Sequence, residues 1–400
     1  MFIERTATAY LQYAKIKYPV LTVTGPRQSG KTTLCRHLFP THTYINLEAP
    51  DVLMAAKEDP RGLLKNGLEP MIIDEAQKCP ELLSYIQLYV DERKQMGQFI
   101  LTGSAQFQLL SAITQSLAGR SAMLSLLPLS LQELSSLSLN FHENPNSILF
   151  KGLYPALFER ELDSTDFFRN YVLTFVERDL RQIINVTSLL DFQKFLKLLA
   201  GRVGQLVNFA SLATEVGVSQ PTIKQWISVL ETAYIIKTLH PYFENFGKRA
   251  IKSPKLYFLD TGLLCYLLGI ENETQLERDP LRGSIFENFV IVELIKARWN
   301  LGKEHQLYFF RDNHGNEIDA LFQSGPKLCP IEIKSSQTFT PSLAKGLEFF
   351  SALVGNERIE NKYIVLGRES EASSHFKDIH LVAFWKAAEI VSPLKPAAQQ

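Results

Sequence analysis

The sequence predicts an α/β chain in three parts. Residues 1–150 read as a parallel-sheet domain, 151–262 as a helical linker with a helix-turn-helix, 263–392 as a second α/β domain, and 393–400 as a flexible tail. Three observations carry this reading. A glycine-rich run, GPRQSGKTT at 25–33, stands between an apolar β-branched run at 20–24 and a helical stretch at 33–39. An apolar run at 70–73 ends in Asp74 and Glu75. Near the other end, strand-like runs carry Asp319, Glu332 and Lys334, behind a helical stretch that holds Glu287.

Composition bounds the rest. Four hundred residues suit two or three domains, because single cores rarely grow past about 250–300 residues. Hydrophobic residues make up 46% and charged residues 21%, ordinary values for a globular protein. Forty-two basic residues balance forty-two acidic ones, so any polyanion must meet a local patch and not a global field. Cys35, Cys79, Cys265 and Cys329 stand far apart, which argues for a reducing compartment and against a zinc or disulfide framework. Glu4 and Arg5 interrupt the N-terminus before any apolar run, and the run at 263–270 is too short to span a bilayer. The expectation is a soluble, cytoplasmic protein without a membrane partner.

The run at 25–33 fits G-x-x-x-x-G-K-[ST] in the context that pattern needs, strand before and helix after. Backbone N–H groups from Gly25, Pro26, Arg27, Gln28, Ser29, Gly30, Lys31, Thr32 and Thr33, less the N–H that proline lacks, would cradle phosphates at a helix N-terminus. Gly25 and Gly30 let the backbone turn, Lys31 reaches the terminal phosphates, and Thr32 can ligand Mg²⁺. Asp74 takes the second metal position and Glu75 the place of the group that polarises the attacking water. The expected cofactors are ATP and Mg²⁺.

Elsewhere in this part, a helix is expected over 1–18 and a strand over 43–48. The strand at 98–104 ends in Thr102 and Ser104, either of which could position the lytic water; an ordinary strand-to-helix turn capped by serine is the alternative. A helix at 107–118 precedes Arg120 and a strand at 121–127. Arg120 there is a candidate finger for a neighbouring subunit's nucleotide, or else a helix-end arginine opposing the dipole.

GPRQSGKTTL, DEAQK, LTGS, LAGR and LPLSLQEL together resemble the bacterial and archaeal AAA-type ATPases of the "GPRQxGKT" group. GLYP at 152–155 and VERDL at 176–180 extend the likeness over nearly the whole chain. The resemblance implies an AAA/ASCE-type parallel sheet and Mg²⁺-dependent ATP hydrolysis; a homo-oligomer in which Arg120 acts in trans is the expectation from the place of Arg120 between helix and strand.

Residues 165–200 are helical in pattern, with Phe168, Tyr171, Val172 and Phe175 as a core-facing stripe. Residues 208–230 read as a helix-turn-helix: Gly217 suits the left-handed turn, Ser219 caps the second helix, and Pro221 sits in its first turn. Ile223, Ile227 and Leu230 face inward, leaving Gln220, Thr222, Lys224 and Gln225 outward. Strand-like runs at 233–242 and 255–260 flank a connector bearing Lys248, Arg249, Lys252 and Lys255, the pattern of a winged helix with a basic wing. DNA contact is one reading; a packing or oligomerisation module is the other.

In the last part, alternation puts Glu332 and Lys334 on one strand face and Ile331 and Ile333 on the other. Asp319 lies on the preceding hairpin, so two carboxylates and a lysine can converge, with Glu287 beside them. Helix Glu, strand Asp and strand Glu-x-Lys, in that order, resemble the PD-(D/E)xK nuclease (restriction-endonuclease-like) fold, although Ile318 stands where many members have proline. That resemblance implies Mg²⁺ on the carboxylates and Lys334 at the scissile phosphate. A degenerate scaffold that only binds DNA, or a buried ion-pair network, is the alternative. The leading expectation is an ATP-hydrolysing enzyme acting on DNA, with metal-dependent cleavage at the second site. The other is an ATP-gated DNA- or protein-binding regulator with a degenerate nuclease scaffold.

Overall fold

The computed structural model describes residues 2–65, 69–104, 116–137, 144–174, 188–242, 253–367 and 374–392. Phe175, most of the helix expected at 107–118, the run 176–180, Lys248, Arg249, Lys252 and the tail at 393–400 lie outside the described residues.

Strand β1 (Val20–Gly25) is wholly buried inside a five-stranded sheet. Its neighbours are β2 (Thr43–Asn46), β3 (Met71–Asp74), β4 (Phe99–Ser104) and β5 (Ser121–Ser125), in the order β2-β3-β4-β1-β5. Every pairing is parallel. A parallel sheet covered on both faces needs apolar residues at successive positions, and the strands supply them. Leu21, Val23, Ile72 and Ile100 face a core shared with helices Thr8–Lys15 and Lys31–Leu38. Val20, Ile73, Phe99 and Leu101 face a second core with helix Leu82–Arg93. Because β4 lies between β1 and β3, the ends of all three strands, with Gly25, Asp74 and Ser104, gather on one edge.

Beyond β5 one apolar core runs from Leu127 to Val391 and draws on residues from both remaining parts of the chain, and a second, with Phe310, Ile318, Leu347, Phe350 and Ile364, lies within the C-terminal part. Helix Phe209–Val216 ends at Gly217, whose φ of 92° is left-handed; Ser219 accepts from the Thr222 N–H at 3.3 Å and caps helix Gln220–Thr232. Strands β6 (Ile236–Leu239) and β7 (Lys255–Phe258) follow as an antiparallel ribbon. The strand expected over 233–242 is shorter because its first residues close the helix: the Ala233 and Ile235 N–H groups donate back to Val229 and Leu230.

Helix Arg282–Trp299 then leads into β8 (Leu307–Arg311), β9 (Glu317–Ser324) and β10 (Lys327–Lys334), an antiparallel meander. Helix Lys345–Val354 crosses to β11 (Lys362–Leu366), which runs parallel to β10. With β12 (Ser374–Phe376) and β13 (Ile379–Ala383) the sheet order is β12-β13-β11-β10-β9-β8. Ile331 and Ile333 join the core around Phe286 and Phe289 of the long helix, as the alternation required. Among the described residues, no helix is long and apolar enough to cross a membrane.

Candidate nucleotide site and a second charged cluster

The loop after β1 has the backbone that a phosphate cradle needs. Gly25 has φ 148°, and a Cβ there would stand 2.1 Å from the Leu126 carbonyl oxygen, so only glycine fits. Gln28 and Gly30 also take positive φ, 61° and 90°, the left-handed turns that an anion-binding nest of backbone N–H groups uses. The Ser29 hydroxyl is buried and makes no hydrogen bond. Pro26 is buried, Arg27 half-buried, and Gln28 and Thr33 exposed. Lys31 folds back, donating to the Gly25 and Pro26 carbonyls at 3.0 and 2.7 Å. Burial pulls its ammonium down to about 8, against the opposing charges of Glu75 and Asp74.

Asp74, at the end of β3, is the hub. One carboxylate oxygen accepts from Thr32 Oγ1 at 2.9 Å and from the Tyr44 hydroxyl at 2.8 Å; the other accepts from Thr102 Oγ1. Burial, followed by the Asp74 hydrogen bond and charge, pushes the Tyr44 phenol up. Glu75 follows in the left-handed region at φ 56°, which is uncommon for a residue with a side chain and marks a position held by its surroundings. Its carboxylate accepts from Gln77 Nε2, which also reaches Ser104 Oγ at 3.2 Å. Thr102 therefore touches the Asp74 side and Ser104 the Glu75 side. The Thr32 hydroxyl and the Asp74 carboxylate are hard oxygen donors beside an orphaned serine and an inward-facing loop, a set that fits a triphosphate with its Mg²⁺.

Arg120 is elsewhere. Its carbonyl accepts from the Val20 N–H, at the opposite end of β1 from the loop, and six strand residues span about 17 Å. The guanidinium forks onto Asp91, with Nε at 2.6 Å and Nη2 at 2.8 Å. It therefore does not face the phosphate loop of its own chain.

Two contacts that sequence reasoning missed buttress the loop. Arg5, noted only as a charge near the N-terminus, is buried and bonds to the Ser29 carbonyl. Tyr234, with φ 56°, brings its hydroxyl to Thr24 Oγ1 at 2.9 Å and Ser125 Oγ at 2.8 Å, joining the helix-turn-helix part to the ends of β1 and β5. Neither belongs to a local pattern, so nothing in the sequence marked them.

On the helix-turn-helix, Gln220, Lys224 and Gln225 are exposed. Thr222 is half-buried against Ser219 Oγ at 2.8 Å, and the Lys224 ammonium lies over the Phe209 ring.

The C-terminal residues converge, but not as expected. Lys334 Nζ stands 2.8 Å from Asp319 Oδ2 and 2.6 Å from Glu332 Oε2, and the Ile333 N–H also donates to Asp319. Glu287 instead accepts from Lys255 Nζ at 3.1 Å and the Tyr257 hydroxyl at 2.6 Å, while Lys255 also pairs with Glu317. Lys255, counted in the sequence as part of a basic wing, is 2% exposed: β7 turns it into the protein, where the carboxylates of Glu287, Glu317 and Asp319 gather, and it is not a surface contact. Burial would raise Asp319, yet Lys334 and Lys255 hold it below the usual carboxylate range. Burial and the adjacent Asp319 push Glu332 up to about 8. Gly346, on the crossing helix, leaves room for Glu332: a Cβ there would come within 2.6 Å of its carboxylate. Among the described residues no three Asp, Glu, His or Cys side chains form a group able to hold a metal ion. Lysines occupy the carboxylates, and the cluster as arranged does not fit a divalent cation.

Comparison with known proteins identifies the domain that carries the first site. Residues 17–135 match the AAA domain model, 142–274 a domain of unknown function (DUF8612), and 282–386 another (DUF4143). The uncharacterized proteins Rv2008c of Mycobacterium tuberculosis and Mb2031c of Mycobacterium bovis are each 34% identical over 88% of this chain and 78% of their own length. Among solved structures, the Walker-type ATPase PABY2304 of Pyrococcus abyssi aligns with 66% of this chain and 96% of its own, at 15% identity and a TM-score of 0.43. With its phosphate loop, its Asp74 hub and a match to the AAA model, the part at 17–135 is an AAA domain of P-loop NTPase fold, and the chain belongs to the same family as the two mycobacterial proteins.

Proposed function

We propose that this protein hydrolyses ATP with Mg²⁺ and uses the cycle to act on DNA. The observation that carries the hydrolytic half is the grouping of Thr32, Asp74, Glu75 and Thr102 around one edge of the parallel sheet, beside the loop that ends in Lys31. The inward N–H groups bind the phosphates, and Lys31 leaves its two carbonyls for the terminal phosphate oxygens. Thr32 and Asp74 are the residues for Mg²⁺, which supplies charge neutralisation along the phosphates. Glu75, oriented by Gln77, polarises the attacking water, and Ser104 helps place it. Arg120 serves the nucleotide of an adjoining subunit in a homo-oligomer.

Support for DNA as the partner is the helix-turn-helix with its antiparallel ribbon, read as a winged helix, whose exposed Gln220, Lys224 and Gln225 lie on one helix near Thr222. The helix, meander, crossing helix and parallel strand of the C-terminal part support a nuclease-like scaffold, on which Glu287, Asp319, Glu332 and Lys334 would form a site only once a cation displaced the lysines from the carboxylates. The lysines that close this cluster favour a second reading, an ATP-gated module that docks DNA or protein without cutting it. Labelled duplex and single-stranded DNA, incubated with the protein and Mg²⁺ or Mn²⁺ with and without ATP, separates the two. Cleavage lost in Asp319→Asn supports a nuclease; binding without cleavage, with ATP turnover responding to DNA, supports docking. Neither binding nor any effect of DNA on turnover would remove DNA from the account.

A further inference from the structure

We infer that Arg5, twenty residues ahead of the glycine loop, is a positioning residue for nucleotide binding, acting through the Ser29 carbonyl. The inference rests on the ATPase reading. A phosphate cradle works only while its N–H groups point inward, so some carbonyls must point outward into the protein and find donors there. The Ser29 carbonyl is one, directly before the left-handed Gly30 and Lys31. Its donor is Arg5 Nη1, at 2.8 Å. The same guanidinium gives Nη2 to the Leu127 carbonyl at 2.6 Å, where the chain leaves β5, and sets Nε 3.1 Å from Glu133 Oε2. One planar fork thus fixes the loop against the neighbouring strand, a geometry that an ammonium cannot reproduce.

The anchor behind this fork is unusually complete. The Glu133 side chain is wholly buried, caps its own helix through the Ser130 N–H at 2.9 Å, and accepts from the Thr6 N–H at 2.7 Å and hydroxyl at 2.9 Å. Asn300, at the end of helix Arg282–Trp299, donates to the Thr6 hydroxyl at 2.6 Å. On the same helix, Glu293 accepts from the Leu131 N–H at 2.9 Å, and Lys296 donates to the Leu129 carbonyl at 2.8 Å. The segment that holds Arg5 is therefore clamped by the C-terminal half. Glu133 neutralises Arg5, so the arginine contributes geometry to the loop more than field.

The test uses the full chain, with a fluorescent N-methylanthraniloyl ATP as probe. Arg5→Lys keeps a charge for Glu133 but cannot hold both carbonyls in one planar fork, so the dissociation constant should rise about tenfold or more while the melting temperature falls less than in Arg5→Met. Arg5→Met should lose more affinity and also stability. In both, KM for Mg·ATP should rise while kcat falls much less, because Glu75 and Gln77 are untouched. If Arg5→Met does not fold, Arg5→Lys decides alone. Wild-type affinity and KM in Arg5→Lys, or a kcat loss with KM unchanged, would overturn the inference. A wild-type protein that binds the probe no better than Lys31→Ala would overturn the nucleotide reading itself, and the inference with it.

Discussion

Replacing Lys255 by methionine isolates what the buried charges in the C-terminal half do. The lysine is 2% exposed and holds two carboxylates at once, Glu287 at 3.1 Å and Glu317, with Asp319 near enough for its charge to be felt. Burial alone would favour the neutral amine, but Glu287, Asp319 and Glu317 outweigh it and hold the ammonium above its ordinary range. Removing it leaves like charges facing one another in a buried site. Breaking a buried pair by deleting one partner costs about 3–5 kcal/mol. At about 2–4 °C per kcal/mol for a cooperative unit of 150–250 residues, the melting temperature should fall by at least about 6 °C. Adding Glu287→Gln removes one of the unpaired charges and should recover part of the loss, so the double-mutant cycle should give a coupling of about 1 kcal/mol or more. Lys334→Met, whose side chain is 32% exposed, should cost less. Thermal and urea unfolding of the full chain, followed by circular dichroism, measure the wild type and the four variants. A Lys255→Met protein that melts within a degree of wild type would refute the reasoning and return Lys255 to the surface role first read for it.

Other outcomes follow from the same geometry. Arg120→Ala should lower turnover while leaving nucleotide affinity nearly intact, and mixing it with Lys31→Ala should restore some activity; specific activity independent of concentration in a stable monomer contradicts this. His305 Nδ1 accepts from the Leu307 N–H, and burial, with Lys237, His240 and Arg298 nearby, holds its pKa down to about 4. The unfolded chain, titrating near 6.5, then binds the extra proton, so this contribution is present above about pH 6.5 and fades as pH falls toward 4. His305→Gln should flatten the acid limb of a stability–pH curve, and an unchanged limb would remove His305 from it. Lys224→Glu should weaken DNA binding across sequences and reduce its salt dependence, with unchanged binding pointing to a packing role for that helix.

Sequence alone exposed the parts of the structure that are written in contiguous residues. The loop at 25–33 and the strand ending in Asp74 follow local rules, whereas the type of parallel sheet that holds them was implied by the family resemblance and not by spacing. Period-two alternation separated Glu332 and Lys334 from Ile331 and Ile333 for the same reason. What stayed hidden depends on distant partners. Arg5 looked like a terminal charge because Glu133 and Leu127 meet it only after folding. Lys255 looked like wing surface because its partners, Glu287 of helix Arg282–Trp299 and Glu317 of β9, meet it only after folding. The convergence of Asp319, Glu332 and Lys334 followed from spacing, whereas spacing left a metal site and an ion-pair network equally open, because it reveals which side chains converge and not what fills the space between them.

The central claim is ATP hydrolysis at the edge of the parallel sheet, and one comparison tests it most directly. Phosphate release from Mg·ATP should be measured for wild type and Glu75→Gln, alongside binding of the fluorescent ATP analogue to each. The account predicts equal binding and turnover lowered by about a hundredfold or more, because only the water-polarising group is lost. Wild-type turnover in Glu75→Gln, or a wild-type protein that binds the analogue and releases no phosphate, would contradict it.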